Sequence, residues 1–365
     1  MKLFQRLLVA PAALGLLAPI SANANEVNLN EISNYSNVES IDFANSFNND
    51  GLTESPLLAG GEGLVDTPAD SFSSTTSASF SSTFYVGTIN EGDDDGVTTF
   101  TYDYGISLNT SFTGEDSFDV AIIAGNADTS AVDGIMGGDG TGDGLDLDGV
   151  SYTFPVGGFT VIVGDGTGVD DLNTGACAYS AFTDAISDCG TPSVGGEADS
   201  AVAVSYDFGN GFTAAGGVGF ATEDTGILSD EDASTIGLEF AYTADTYGVS
   251  LAYTDNDEVG GDTSFYSIQA AYTPDAPYSI SAGYEFDDDD DDMLFLGLSS
   301  DVGPGTLSIG ASTQELADDH DDNYMYELAY SYAVNDGVTV TPGLFIIEDA
   351  DEDAFGMVVT TSFSF

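Results

Sequence analysis

The sequence predicts an all-β fold, a transmembrane antiparallel β-barrel of about sixteen strands. Three observations predict it: an export signal at the start, a two-residue apolar repeat, and short turns alternating with long acidic connections. The export signal comes first along the chain. Lys2 and Arg6 precede an apolar run from Leu7 to Ile20 and then Ala22, Asn23 and Ala24. A positive start, a short apolar stretch and an A-x-A site make up a secretory signal peptide, so residues 1–24 are expected to be cleaved after Ala24. The run holds Pro11 and Pro19 and is too short to cross a bilayer as a helix. Residues 25–71 are rich in Asn, Ser and Gly without a sustained period, which fits an irregular periplasmic lead-in.

The barrel is expected over residues 72–365. Its repeat is plainest where Phe100, Tyr102, Tyr104, Ile106 and Leu108 alternate with Thr101, Asp103, Gly105, Ser107 and Asn109. A period of two places the two sets on opposite faces of a sheet. The same pattern gives strands at 72–89, 97–112, 118–126, 147–156, 159–164, 199–208, 212–221 and 233–243. It continues at 247–254, 263–273, 278–286, 292–300, 306–313, 323–332, 338–347 and 354–365. Short connections such as Gly157-Gly158 and Asn335-Asp336-Gly337 carry the Gly and Asn that tight turns need. The others, 90–96, 127–146, 165–198, 222–232, 255–262, 287–291, 314–322 and 348–353, are longer and acidic. Outer-membrane barrels have even strand numbers, short periplasmic turns and longer outer loops. Phe112/Phe118, Phe154/Phe159, Phe208/Phe212, Tyr242/Tyr247 and Tyr272/Tyr278 flank short turns as an interfacial girdle would. A soluble sandwich or a solenoid would also alternate. A sandwich gives no reason for the alternation of connections, and a solenoid should show a short fixed repeat, which is absent.

Charge narrows the function. The chain has 63 Asp and Glu against two Lys and Arg, a formal net charge of −61. Both basic residues lie in the signal, so the exported part has no side chain of fixed positive charge. Phosphate backbones and anionic membrane surfaces need cationic partners, which excludes nucleic acid. An apolar content of 42% argues against a disordered polyanion. Within the expected strands the acids are Asp103, Asp119, Asp148, Asp199, Asp207, Glu239, Glu285 and Glu327. All except Asp148 share the polar parity of their strand. A charge facing lipid costs on the order of 2 kcal/mol, so Asp103, Asp119, Asp199, Asp207, Glu239, Glu285 and Glu327 are expected to line the pore. On that reading, Glu239→Gln and Glu327→Gln weaken cation preference and leave folding intact.

Cys177 and Cys189, the only cysteines, lie in the longest loop. In an oxidising compartment two Cys in one loop most simply pair, contributing roughly 3 kcal/mol in the chain-entropy model. The alternative is a pair of free thiols for a metal or for catalysis, with no histidine nearby in sequence. The single histidine, His320, sits in an acidic loop with no partner pattern for a catalytic triad, so an enzyme is not expected. No cofactor is expected. Gly137–Gly144 and Asp349–Asp353 fall short of the calcium-loop patterns. No dedicated metal site is expected; Asp287, Asp288, Asp289, Asp290, Asp291 and Asp292 suit loose bridging by Ca or Mg, or simply a hydrated loop tip.

Several segments carry a family resemblance. The signal from Met1 to Leu17, Phe72–Thr76, Leu108–Gly114, Ala124–Asn126 and Tyr152–Gly157 resemble cyanobacterial outer-membrane porins of the carbohydrate-selective or iron-uptake type. Two departures stand out. Residues 25–71 are too short for the usual S-layer-homology domain, and Glu115–Asp119 stands where members carry Lys and Arg. The chain's C-terminal Phe365 resembles the assembly signal of such barrels. The resemblance implies an outer-membrane porin passing small hydrophilic solutes, a homotrimer, and a third outer loop, 165–198, that folds inward as the constriction. Acidic walls add an expected preference for cations. The alternative is a structural or adhesive surface barrel with cation-bridged acidic loops.

Overall fold

A computed structural model describes residues 75–91, 96–127, 131–138, 140–194, 198, 200–220, 234–258, 261–288, 292–313, 324–348 and 353–365. The expected signal and lead-in, His320, Asp199, Asp289, Asp290 and Asp291 lie outside these residues.

Sixteen strands form one closed antiparallel barrel in which each pairs with its neighbours in sequence. They are β1 Thr76–Glu91, β2 Thr99–Thr110, β3 Ser117–Gly125, β4 Asp146–Val156, β5 Phe159–Asp165 and β6 Ser200–Gly209. Then come β7 Phe212–Phe220, β8 Ser234–Thr243, β9 Tyr247–Glu258, β10 Gly261–Tyr272 and β11 Tyr278–Asp287. The last are β12 Asp292–Val302, β13 Gly305–Thr313, β14 Tyr324–Asn335, β15 Val338–Glu348 and β16 Ala354–Ser364. A short helix, α1, spans Ala131–Met136.

The seam closes between β1 and β16, in register from Glu91↔Ala354 to Ser81↔Ser364. Phe365 extends it: its N–H donates to the Phe80 carbonyl at 3.0 Å, and its own carbonyl accepts from Phe80 N–H at 2.8 Å. Its ring stacks on Phe80 with centroids 5.6 Å apart.

Each strand keeps its period of two. In β8, Ile236, Leu238 and Phe240 face outward and are exposed, while Thr235, Gly237, Glu239 and Ala241 face inward. Aromatic rings form a belt at each end of the outer face. At the short-turn end, Phe112 contacts Tyr152, Phe159 contacts Tyr206, and Phe212 contacts Tyr242. At the other end Tyr253, Tyr266 and Phe286 pack in sequence.

Two local readings change. The connection expected at 255–262 shrinks to 259–260, because β9 and β10 stay paired as far as Glu258↔Gly261. Backbone pairing does not stop where the apolar pattern stops; Asp255 and Asn256 ride on the hairpin. Asp148, the one strand acid off parity, is the extra residue of a β-bulge: Ala121 pairs with Gly149 but Ile122 with Leu147. An inserted residue shifts the alternation locally, and Asp148 is exposed there.

Candidate pore and its constriction

After β5 the chain turns back into the barrel. Gly166, at φ 61°, makes the turn, and the connection from there to Val194 then lies along the inner wall. The wall accommodates it with inward-facing glycines. A β-carbon on Gly237 would lie 2.6 Å from the Val169 side chain, and one on Gly343 would lie 2.3 Å from the Phe182 ring. Tyr179 packs in the same way over Gly297 and Gly310. The inward loop thus covers an arc of wall from β7 round to β15.

Carboxylates hold it there. With no lysine or arginine among the described residues, the wall acids accept from amides and hydroxyls. Glu239 on β8 accepts from Thr174 N–H at 2.6 Å and Gly175 N–H at 2.9 Å. Glu285 on β11 accepts from Ser193 N–H with both oxygens at 3.3 Å. Glu327 on β14 takes four donors: Tyr179 OH at 2.8 Å, Phe182 N–H at 2.8 Å, Thr183 N–H at 2.9 Å and Thr183 Oγ1 at 2.6 Å. Ordered this way, the three carboxylates grip both limbs and the tip of the loop. Ala176 N–H also donates to Gln269 Oε1 at 3.0 Å, and Ala178 N–H to Ser281 Oγ at 2.9 Å.

Apolar packing completes the seat. Ile186 of the loop and Val132 of α1 join Phe295, Met325, Phe345 and Val358 of the wall in one buried cluster. Cys177 and Cys189 are disulfide-bonded, with Cα atoms 6.0 Å apart, and tie the two limbs together. Burial, then the Glu327 charge and hydrogen bond, push the Tyr179 hydroxyl's pKa up, so it stays a donor.

Below the loop tip a cavity of about 610 Å³ opens. Its wall is largely hydroxylic, with Ser299, Ser308, Ser331, Thr341 and Thr360 on successive strands, and it carries one acid, Asp301. Asp103 on β2 and Asp119 on β3 lie outside the arc the loop covers. Asp103 accepts from Thr83 N–H at 2.9 Å and from the Tyr85 hydroxyl. Asp119 accepts from Asn109 Nδ2 at 2.6 Å and Ser117 Oγ at 2.5 Å.

A closed sixteen-strand barrel with a loop folded against its inner wall is the architecture of a diffusion channel, and the chain matches the Gram-negative porin family over residues 121–344. The chain belongs to that family. Solved structures agree on the fold of this porin. It is similar to Pseudomonas putida OprB at 14% identity and TM-score 0.63, over 80% of this chain and 94% of that one. A loop-L8 deletion mutant of Vibrio cholerae OmpT gives 13% identity and TM-score 0.58, over 80% and 100%. A mutant Rh. blastica porin gives 17% and 0.55, over 80% and 100%. No curated protein matches the sequence. As a member of this family the barrel is a passive channel of the outer membrane.

The inner-face acids of the porin divide into two groups. Asp103, Asp119 and Asp207 stand clear of the loop, Asp207 exposed at the short-turn end, where it accepts from Gly209 N–H at 2.6 Å. Glu239, Glu285 and Glu327 are only 6%, 5% and 2% exposed beneath the loop. Glu239, Glu285 and Glu327, expected to border open water, are instead covered by the inward loop and accept hydrogen bonds from it. Of the acidic run, Asp288 Oδ1 accepts from Ser264 N–H at 2.9 Å, Asp292 accepts from Tyr284 OH at 3.0 Å, and Asp287 ends β11. Among the described residues no three His, Cys, Asp or Glu side chains gather as a metal-binding group.

Sequence reasoning overlooked Asp116, in the turn between β2 and β3. Its Oδ1 accepts from Ser111 Oγ at 2.8 Å, Phe112 N–H at 3.0 Å, and Thr113 N–H and Oγ1 at 2.7 Å each. Its Oδ2 accepts from Tyr152 OH at 2.7 Å. Burial works to raise its pKa, but these donors outweigh it and hold the carboxyl well below the usual range. Ser and Thr before an Asp is a turn pattern that could have flagged it.

Proposed function

We propose that this porin passes small hydrophilic solutes with a preference for cations, entering from the end that bears most of the long connections. The supporting observation is the charge of the path. Asp103, Asp119 and Asp207 on the wall and Asp170, Asp171 and Asp184 on the inward loop are acidic, while Lys2 and Arg6 are the only lysine and arginine of the whole chain. One sign of charge along a narrow lumen concentrates counter-ions and repels co-ions. Asp171 lies beside Asp170 on the inward loop, where burial and then the Asp170 charge raise its pKa. The preference is partial, because the screening length falls from about 10 Å at 0.1 M salt to about 3 Å at 1 M. Reversal potentials in a planar bilayer under a KCl gradient test this. A cation-directed potential that shrinks with salt is expected; an anion-directed one overturns the proposal, and absence of conductance argues for the adhesive barrel. The family resemblance extends the proposal to a homotrimer, which cross-linking in detergent would count.

A further inference from the structure

The connection between β3 and β4 also turns into the barrel, and hydrogen bonds fix its entry. Asn126 pairs with Gly140 as a short antiparallel bridge. The Gly125 carbonyl accepts from Thr141 N–H at 3.1 Å and Asp143 N–H at 2.9 Å, and Gly125 N–H donates to Thr141 Oγ1 at 3.1 Å. Tyr102 N–H donates to Asn126 Oδ1 at 2.9 Å, and the Tyr102 hydroxyl to Asp143 Oδ1 at 2.8 Å. From this neck α1 reaches inward: Ala127 is fully buried and Val132 is 2% exposed. A helix of six residues is too short to hold in water by itself, so α1 owes its order to what it packs against.

Val132 belongs to the apolar cluster that seats Ile186 of the inward loop, together with Ile89 of β1 and Ala354 and Val358 of β16, and Ile135 and Met136 pack against the edge of that cluster. After α1, Gly137 takes φ 62°, and a β-carbon there would lie 2.9 Å from the Asp184 carboxylate of the inward loop. One on Gly138 would come within 3.5 Å of the Tyr85 ring on β1. The helix is thus wedged between the loop's 3-10 turn, Asp184–Cys189, and the seam of the barrel. The inward loop covers the wall from β7 to β15, and α1 takes over at β16 and β1. The inner face of β2 differs, because a β-carbon on Gly105 would meet only the Ser81 hydroxyl of the next strand within 4 Å. Asp103 and Asp119 stand on this uncovered side. We infer that α1 is a second wall of the constriction, with Val132 as its positioning residue: it holds the loop tip from the seam side and confines solutes to the passage along β2, β3 and β4. The inference concerns size and route, and rests on the barrel being a passive channel rather than on its ion preference.

Liposome swelling with neutral sugars of increasing size, and single-channel conductance in a planar bilayer, test this. Val132→Asp places a carboxylate in the apolar cluster and should drive α1 from its seat. Conductance should rise and a larger sugar than the parent admits should enter, while thermal loss of strand signal stays near the parent's. Conductance and size limit that hold or fall in this variant overturn the inference. Gly134→Cys gives a second test that needs no displacement of α1. Gly134 is exposed, and a β-carbon there would meet nothing within 4 Å. Cys177 and Cys189 are paired, so the introduced thiol alone should react. Attaching a neutral maleimide with a short polyethylene-glycol chain should lower the conductance of Gly134→Cys. The same label on Glu115→Cys, in the exposed turn between β2 and β3, should leave conductance unchanged. Labelling that acts no more strongly in Gly134→Cys than in Glu115→Cys overturns the placement of α1, and does so even should Val132→Asp fail to fold. Sugars and label are neutral, so the outcome is read apart from the reversal potential that tests the cation preference.

Discussion

Replacing Glu327 with Ala should free the tip of the inward loop while leaving the barrel standing. The carboxylate is 2% exposed and accepts four hydrogen bonds of 2.6–2.9 Å from Tyr179, Phe182 and Thr183. Hydrogen bonds to a charged group contribute about 1.5–3 kcal/mol each, and a buried donor left unpaired costs about 1–3 kcal/mol. Contributions within one network do not add fully, and the freed hydroxyls can turn toward water. The Phe182 and Thr183 amides cannot turn while the tip stays docked, so about 3–5 kcal/mol of docking free energy is at stake. At 1.4 kcal/mol per factor of ten, the docked population falls by about two to three and a half powers of ten relative to the undocked. Glu239, Glu285 and the disulfide still hold the limbs, and the strand ladder is untouched. Single-channel recording should therefore show larger, noisier conductance steps in Glu327→Ala, and liposome swelling should admit larger neutral solutes. Thermal loss of strand signal should stay near that of the parent. Conductance, noise and size limit all matching the parent would refute the clamp. Glu327→Gln should fall between the two, since an amide keeps one acceptor and turns a donor toward an existing donor.

Two further outcomes follow from the same geometry. Gly343→Val places a β-carbon 2.3–2.6 Å from the Phe182 ring, an overpacking that costs about 1–3 kcal/mol. It should widen the channel as Glu327→Ala does, and adding Phe182→Ala should reverse the change by making room, as conductance in the double variant would report. Asp116→Asn tests the turn between β2 and β3 through its pH dependence. The folded-state carboxyl titrates below its unfolded value, so its contribution is full above the unfolded pKa of about 3.9 and is lost as pH falls toward the folded one. The melting temperature of the parent should exceed that of Asp116→Asn by a constant margin from about pH 5 to 8 and converge on it in stronger acid. A margin that stays constant down to pH 2 would show that the charge contributes nothing.

How much of this was legible in the sequence differs between wall and lumen. A strand declares itself locally: residues two apart share a face, and the turn residues between strands sit where the chain reverses. All sixteen strands could therefore be placed from the alternation, as could the parity that separates Leu238 and Phe240 from Glu239. Phe365 was legible as a C-terminal aromatic, though its stacking on Phe80 across the seam depends on closure. Where the sequence misled, a local rule had been overridden by pairing, as when the β9–β10 hairpin ran on past its apolar residues and a bulge displaced Asp148.

The sequence by itself determined which side chains turn inward; only the tertiary structure decided what meets them there. Parity distinguishes lipid from lumen, but it cannot tell water from a second piece of the same chain. Glu327 and Asp103 read alike along their strands, yet one lies beneath the inward loop and the other clear of it. That difference comes from contacts between residues some 150 positions apart, such as Tyr179 and Glu327, whose separation along the chain is 148. The inward glycines carry the same lesson. Gly237 and Gly343 look like small residues on a polar face, and only the packed loop shows that their missing side chains are the space it occupies.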